Sequence, residues 1–148
     1  MKKLLCLGLL FLSIQAAQAQ TAATPAARPV ASKDDDTMVL TLTDTPEASW
    51  RRLAQILVQR GYSIQHSDKD LLTLSTYALY KPGVRVNRVA GTVINGALIV
   101  RMYWGAASDT GGGQPLLARR KHDGWGELVA IGREFGGAVS YTATTIDY

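Results

Sequence analysis

Apolar and polar residues alternate through "TMVLTLTD". Met38, Leu40 and Leu42 fall on one side, Val39, Thr41 and Thr43 on the other. A period of two predicts a strand. The period then changes. Trp50, Leu53, Ala54 and Leu57 recur at i, i+3, i+4 and i+7, which is one face of a helix, and Arg51, Arg52, Gln55 and Gln59 fall away from it. Asp44 with Glu47 fits a capping box, Thr45 serves equally well as the cap, and Pro46 is tolerated in the first turn. Glu47 and Arg51 form an i, i+4 charge pair. Gly61 stands where a C-cap belongs, behind Arg60, whose charge suits the helix C-terminus.

Alternation resumes at Tyr62, Ile64 and His66 and predicts a second strand. "SDKD" breaks it as a turn whose Ser and Asp side chains can bond nearby backbone. "LLTLSTYAL" predicts a third strand, with Leu72 and Leu74 on one face. Pro82-Gly83 marks a further turn.

The clearest hairpin is "VAGTVINGALIVRMYW". Asn95-Gly96 suits a two-residue type I′ loop, because both positions need positive φ. That loop sets Ile94 opposite Ala97, Val93 opposite Leu98, Gly91 opposite Val100 and Val89 opposite Met102. Val89, Val93, Leu98, Val100, Met102 and Trp104 then share an apolar face, which is expected to lie under helices. "GAASDTGGGQP" reads as a flexible loop, without the Lys-Ser or Lys-Thr context of a phosphate-binding loop. Beyond it, Trp125, Leu128, Val129, Gly132 and Phe135 approach helical spacing, and Gly136-Gly137 ends the run. Glycines inside this helix suggest close packing on the sheet. "AVSYTATTIDY" is either a last strand or a fraying tail.

The resulting order is β-α-β-β-β-β-α. It predicts an α+β fold: an antiparallel sheet of about four to six strands with two helices on one face.

The chain's first residues change the setting. Lys2 and Lys3 precede an apolar run from Leu4 to Ile14, followed by Ala17-Gln18-Ala19. This is the form of a secretory signal peptide over residues 1–19, with cleavage after Ala19. The apolar run is too short for a bilayer span, so no transmembrane segment is expected after cleavage. Cys6 lies inside the discarded run, so the mature chain has no thiol for disulfides, zinc or nucleophilic catalysis. Removing 19 of the 148 residues leaves 129, enough for one domain with a working core. It also leaves 14 basic against 12 acidic residues, which is no nucleic-acid footprint. Residues 20–36 read as a flexible leader, and Asp34, Asp35 and Asp36 as a solvated run. The domain is expected over residues 37–142 and a tail over 143–148. The location expected is periplasmic or secreted.

"SWRRLAQILVQRGYSIQHSDKDLLTLST" resembles the opening unit of helix-grip domains in the BamC-type lipoproteins of the bacterial β-barrel assembly machine. "DGWGELVAIGREFG" is similar to the returning helix of such a domain. The likeness runs from about residue 38 to 135 and rests on framework positions. Small exported bacterial domains of TBP-like layout share the same order. The resemblance implies a helix-on-sheet module that binds other envelope components without catalysis, and no site residue carries over.

Candidate chemistry is sparse. His66, Asp68 and Asp70 form a possible metal cluster, but a third ligand would have to come from His122-Asp123. A polar turn is the plainer account, and neither metal nor cofactor is expected. No nucleophile elbow or carboxylate pair stands out. Arg119, Arg120 and Lys121 are candidates to meet an anionic surface, against the plainer reading of a solvated loop. Trp50, Trp104 and Trp125 are candidates to line a ligand groove between helices and sheet, against the plainer reading of core. The expectation is an exported non-catalytic interaction or scaffolding module with an envelope protein or lipid as partner. The alternative is a carrier holding a small apolar ligand or lipid between helices and sheet.

Overall fold

In the computed structural model of the protein, the described residues are 27–81, 84–104, 116–122 and 124–144. The expected signal peptide, the Pro82-Gly83 turn, the loop over 105–115 and the last residues, 145–148, lie outside them. Strand β1 (Thr37–Thr41) leads to helix α1 (Pro46–Gln59), then β2 (Ile64–Asp68), β3 (Thr73–Thr76), β4 (Leu79–Lys81), β5 (Val84–Ile94), β6 (Ala97–Trp104) and β7 (Leu116–Leu117). Helix α2 (Trp125–Phe135) and β8 (Val139–Thr142) complete the order.

The fold is α+β, and each strand pairing is antiparallel. The spatial order is β2-β3-β5-β6-β1-β8, with β4 added to β5 and β7 to β6. Eight strands exceed the four to six expected. Three short segments account for the difference. The single third strand breaks at Tyr77-Ala78, so that β4 forms separately. Two residues beyond the glycine-rich loop pair as β7 with the end of β6. Residues 139–142 are a strand and not a fraying tail, because β1 has a free edge for them.

The β5–β6 hairpin has the expected register at all four pairs, and Asn95 and Gly96 take φ of 50° and 73°. Leu72 departs from expectation. It lies outside β3 at a φ of 51°, and its carbonyl accepts a hydrogen bond from Val93 N at 3.1 Å.

Both helices cover one face. Met38 and Gly91 are both paired with Val100, so they lie in one row on that face. A Cβ on Gly91 would stand 2.3 Å from Leu53 Cδ2 of α1, and one on Gly132 of α2 would stand 2.5 Å from Met38 Sδ. The glycines let the helices approach the strands closely. The core is filled from both layers, by Leu53, Leu57, Leu128 and Ile131 against Leu40, Val89, Leu98 and Met102. Each such side chain contributes about 1.5–3 kcal/mol on burial.

Thr45 is the N-cap of α1, its Oγ1 accepting from Ala48 N at 3.3 Å, and Gly61 takes a φ of 90° after the helix. The buried stripe is Ser49, Leu53, Ile56 and Leu57, rotated from the expected one. Trp50 and Ala54 sit at its margin. In α2, Ile131 joins the buried positions and Val129 lies half-buried. Gly136 and Gly137, at φ of 78° and 82°, end it. Arg51 is exposed, and it is Arg52 that meets a carboxylate, that of Asp44 at 3.6 Å, while lying over the Phe135 ring.

The aspartate run is the plainest correction. Asp35 and Asp36 are buried, not solvated. The Asp35 carboxylate pairs with Arg28 and accepts from Ser32 N at 2.6 Å. Asp36 Oδ1 accepts from Thr37 Oγ1 at 2.7 Å, Thr144 N at 2.9 Å and Thr144 Oγ1 at 2.8 Å. These bonds offset the cost of taking a carboxylate out of water. Residues 28–36 are thereby fastened to the domain, with Arg28 also bridging to Tyr141. No helix among the described residues is long and apolar enough to cross a membrane.

Candidate functional interface

The three tryptophans do not line one groove. Trp50 donates from Nε1 to the Thr73 carbonyl at 3.1 Å, near the hairpin-turn end of the sheet. Thr73 pairs with Thr92, and Thr92 with Ile99. Trp104 lies five residues further along β6, roughly 17 Å away at about 3.4 Å per residue. Trp104 instead packs against His122, with ring centroids 5.1 Å apart, and Trp125 against Tyr141 at 5.6 Å. Trp125 belongs to the core, and Trp50 and Trp104 pack on its margin.

The metal cluster is not assembled. His66 is exposed on β2, while His122 lies against Trp104 of β6, three strands away in the sheet. Asp68 Oδ1 accepts from Asp70 N and Leu71 N, both at 2.9 Å, so it closes its own turn. Among the described residues, no group of three His, Cys, Asp or Glu side chains is placed to hold a metal.

Arg119, Arg120 and Lys121 are all exposed, as the candidate surface contact requires. Arg120 has a second task. Its guanidinium donates to the Ala31 carbonyl, and its backbone N–H donates to the Asp35 carbonyl at 3.0 Å.

A surface that the sequence reading passed over emerges from the register. Helices occupy the face of Val89, Gly91 and Met102, so Arg88, Ala90, Thr92, Ile99, Arg101 and Tyr103 point to the other face. Neither helix lies there. Arg88 and Tyr103 are direct cross-strand partners, and Ala90 and Arg101 are the next pair. Leu79 packs against the core, which turns its neighbour Tyr80 to the open face. Tyr80 is 72% exposed and Tyr77, at the β3–β4 break, 52% exposed.

Arg101 is held in place from behind. Its Nε donates to Thr37 Oγ1 at 3.0 Å, and that hydroxyl donates to the buried Asp36. A hydroxyl can accept and donate at once, so Thr37 relays the carboxylate to the guanidinium. The result is an open sheet face with tyrosines, two arginines and a row of hydroxyls. Such a face can stack on apolar groups and bond carboxylates. In the sequence these residues are the alternate positions of the hairpin strands, where Ala90, Thr92, Ile99, Arg101 and Tyr103 mix apolar and polar groups. Their meaning depended on which face the helices took.

No protein-family model matches the chain, and no curated protein matches it either.

Proposed function

We propose that the protein is an exported, non-catalytic interaction module of the bacterial cell envelope, of helix-grip layout. Its partner is a protein that presents acidic side chains to the open sheet face. The observation that carries this reading is the division of labour between the two faces. One is buried under both helices. The other carries Arg88, Arg101 and Tyr103, each half-buried, with the exposed Tyr80 beside them. Tyrosine and arginine are the residue types that dominate protein interfaces, since they combine a rigid apolar body with hydrogen-bonding ends. The signal-like start of the chain supports export.

The alternative, a carrier of an apolar ligand between helices and sheet, fits less well. Helix and strand approach so closely at Gly91 and Gly132 that a methyl group would meet Leu53 or Met38. A dense interior of this kind leaves little room for a lipid chain.

Photocrosslinking in envelope preparations tests the reading. A benzoylphenylalanine at Tyr80 or Tyr103 is expected to trap a discrete partner. The same group at Val58, exposed on the outer side of α1, is expected to trap none. Crosslinks from Val58 with none from the sheet face would overturn it.

A further inference from the structure

We infer that a second surface, at the corner where residues 28–36 meet residues 118–122, docks on a bilayer bearing anionic phospholipid headgroups. Arg119, Arg120 and Lys121 are joined there by Arg28 and Lys33, which are distant in sequence and all exposed. Buried Asp35 brings the two segments together. Its carboxylate takes Arg28 and Ser32 N, and its carbonyl takes Arg120 N. Arg120 then reaches back to the Ala31 carbonyl. Of the two acids in this corner that precede Asp36, Asp35 is spent internally and Asp34 alone faces solvent. With Arg28 balanced by Asp35, the described residues of this corner leave four cations, Lys33, Arg119, Arg120 and Lys121, against one exposed acid, which complements an anionic surface.

A second feature points to a bilayer in particular. Val30 is 74% exposed, two residues after Arg28 and next to Ala31, whose carbonyl Arg120 reaches. An exposed apolar side chain on a segment that carries basic residues matches the headgroup boundary, where the charges meet phosphates and the apolar group enters the acyl region. Each basic residue near such a surface adds roughly fivefold to partitioning. The attraction is screened over about 8 Å at physiological salt.

This surface is distinct from the open sheet face, so the two readings fail independently. Protein recovered from cells expressing the whole chain is tested by flotation with vesicles of phosphatidylcholine alone or with about a third phosphatidylglycerol. The difference between the two vesicles is the readout, because an apolar segment alone binds both. Wild type is expected to favour the anionic vesicles, and less so as salt rises. Arg119→Ser with Lys121→Ser is expected to lower that preference about 25-fold, at roughly fivefold per charge. Val30→Ser is expected to weaken binding several-fold. Arg51→Ser, exposed on α1, is expected to leave it unchanged. Equal binding to both vesicles overturns the inference, as does an Arg51→Ser loss matching the Arg119/Lys121 loss. Competition by free inorganic phosphate at low millimolar concentration also overturns it, since that marks an anion site and not a surface.

Discussion

Arg60 grips Glu127 with two parallel contacts, Nε to Oε1 at 2.9 Å and Nη2 to Oε2 at 2.7 Å. Its remaining nitrogen, Nη1, meets Glu134. One side chain at the end of α1 thus fastens the first and last turns of α2. The Arg60 and Glu127 side chains are only 18% and 16% exposed. Exposed pairs contribute at most about 1 kcal/mol, whereas removing one partner of a buried pair costs about 3–5 kcal/mol. The exposure here places the pair between those limits. Glu127→Gln is expected to cost about 2 kcal/mol in urea unfolding. Arg60→Met is expected to cost at least as much, because it leaves Glu127 and Glu134 without their shared cation. Losses under about 0.5 kcal/mol for both variants would class the contact as an ordinary surface pair.

Tyr62 extends this cluster. It is buried, and burial, followed by the nearby Glu127 charge, pushes its hydroxyl well above tyrosine's ordinary value of 10.0. The unfolded chain therefore releases this proton at lower pH than the native protein does. Stability is full below about pH 10 and declines as pH rises beyond it, by up to about 1.4 kcal/mol per pH unit from this residue. Tyr62→Phe lacks the titrating group. Its unfolding free energy is expected to fall less steeply between pH 10 and 11.5 than that of wild type. Parallel curves for the two proteins would remove Tyr62 from the alkaline response.

These two contacts mark the limit of what the sequence discloses. The hairpin register is legible because Asn95-Gly96 fixes it locally. Helix α1 is legible from Thr45, Gly61 and the spacing of Leu53 and Leu57. Arg60 and Glu127 are 67 residues apart, and only the packing of α1 beside α2 brings them together. Asp35 and Asp36 show no period at all. Their burial depends on Thr144 and Arg120, supplied by the far end of the chain. Arg88, Arg101 and Tyr103 likewise share a face that gains meaning only once the helices have chosen the opposite side.

The three glycines near or in α2 and β5 should respond differently to alanine. At Gly91 the new methyl meets Leu53, which is fully buried and cannot swing clear, so overpacking should cost about 1–3 kcal/mol. At Gly132 it meets the thioether of Met38, which is equally buried but unbranched and can re-pack by rotation, and the gain in helix propensity of about 1 kcal/mol offsets the strain. Gly132→Ala is thus expected near neutral. Gly126 is exposed on α2 with nothing within 4 Å of a Cβ, so Gly126→Ala should stabilise by about 1 kcal/mol. Thermal unfolding of the three variants checks the ranking. If Gly91→Ala is tolerated as well as Gly126→Ala, α1 does not lie on β5 as described.

Ser49 sits in the buried stripe of α1, and its hydroxyl has no hydrogen-bond partner among the described residues. A buried hydroxyl without a partner keeps its desolvation cost, about 1–3 kcal/mol, with no return. Ser49→Ala removes that cost and favours the helix. It is expected to raise stability by about 1 kcal/mol, read as a higher urea midpoint at unchanged slope.

Asp36 poses the opposite case, a buried carboxylate oxygen that accepts three bonds from Thr37 and Thr144. Asp36→Ala strips these donors of their acceptor and is expected to cost about 2–3 kcal/mol. It also frees Thr37 from its orienting partner, and through Thr37 it loosens Arg101 on the open face. Asp36→Asn keeps an acceptor oxygen in the same place. If the bonds matter more than the charge, it should recover at least half of the loss. Urea unfolding of both variants gives the comparison, and amide exchange at Thr144 reports the local bond. Should Asn prove as damaging as Ala while Thr144 stays protected, the carboxylate would be acting as a countercharge to Arg101. Losses in sheet-face crosslinking would then follow the charge at position 36, and restoring the hydrogen-bond geometry would not rescue them.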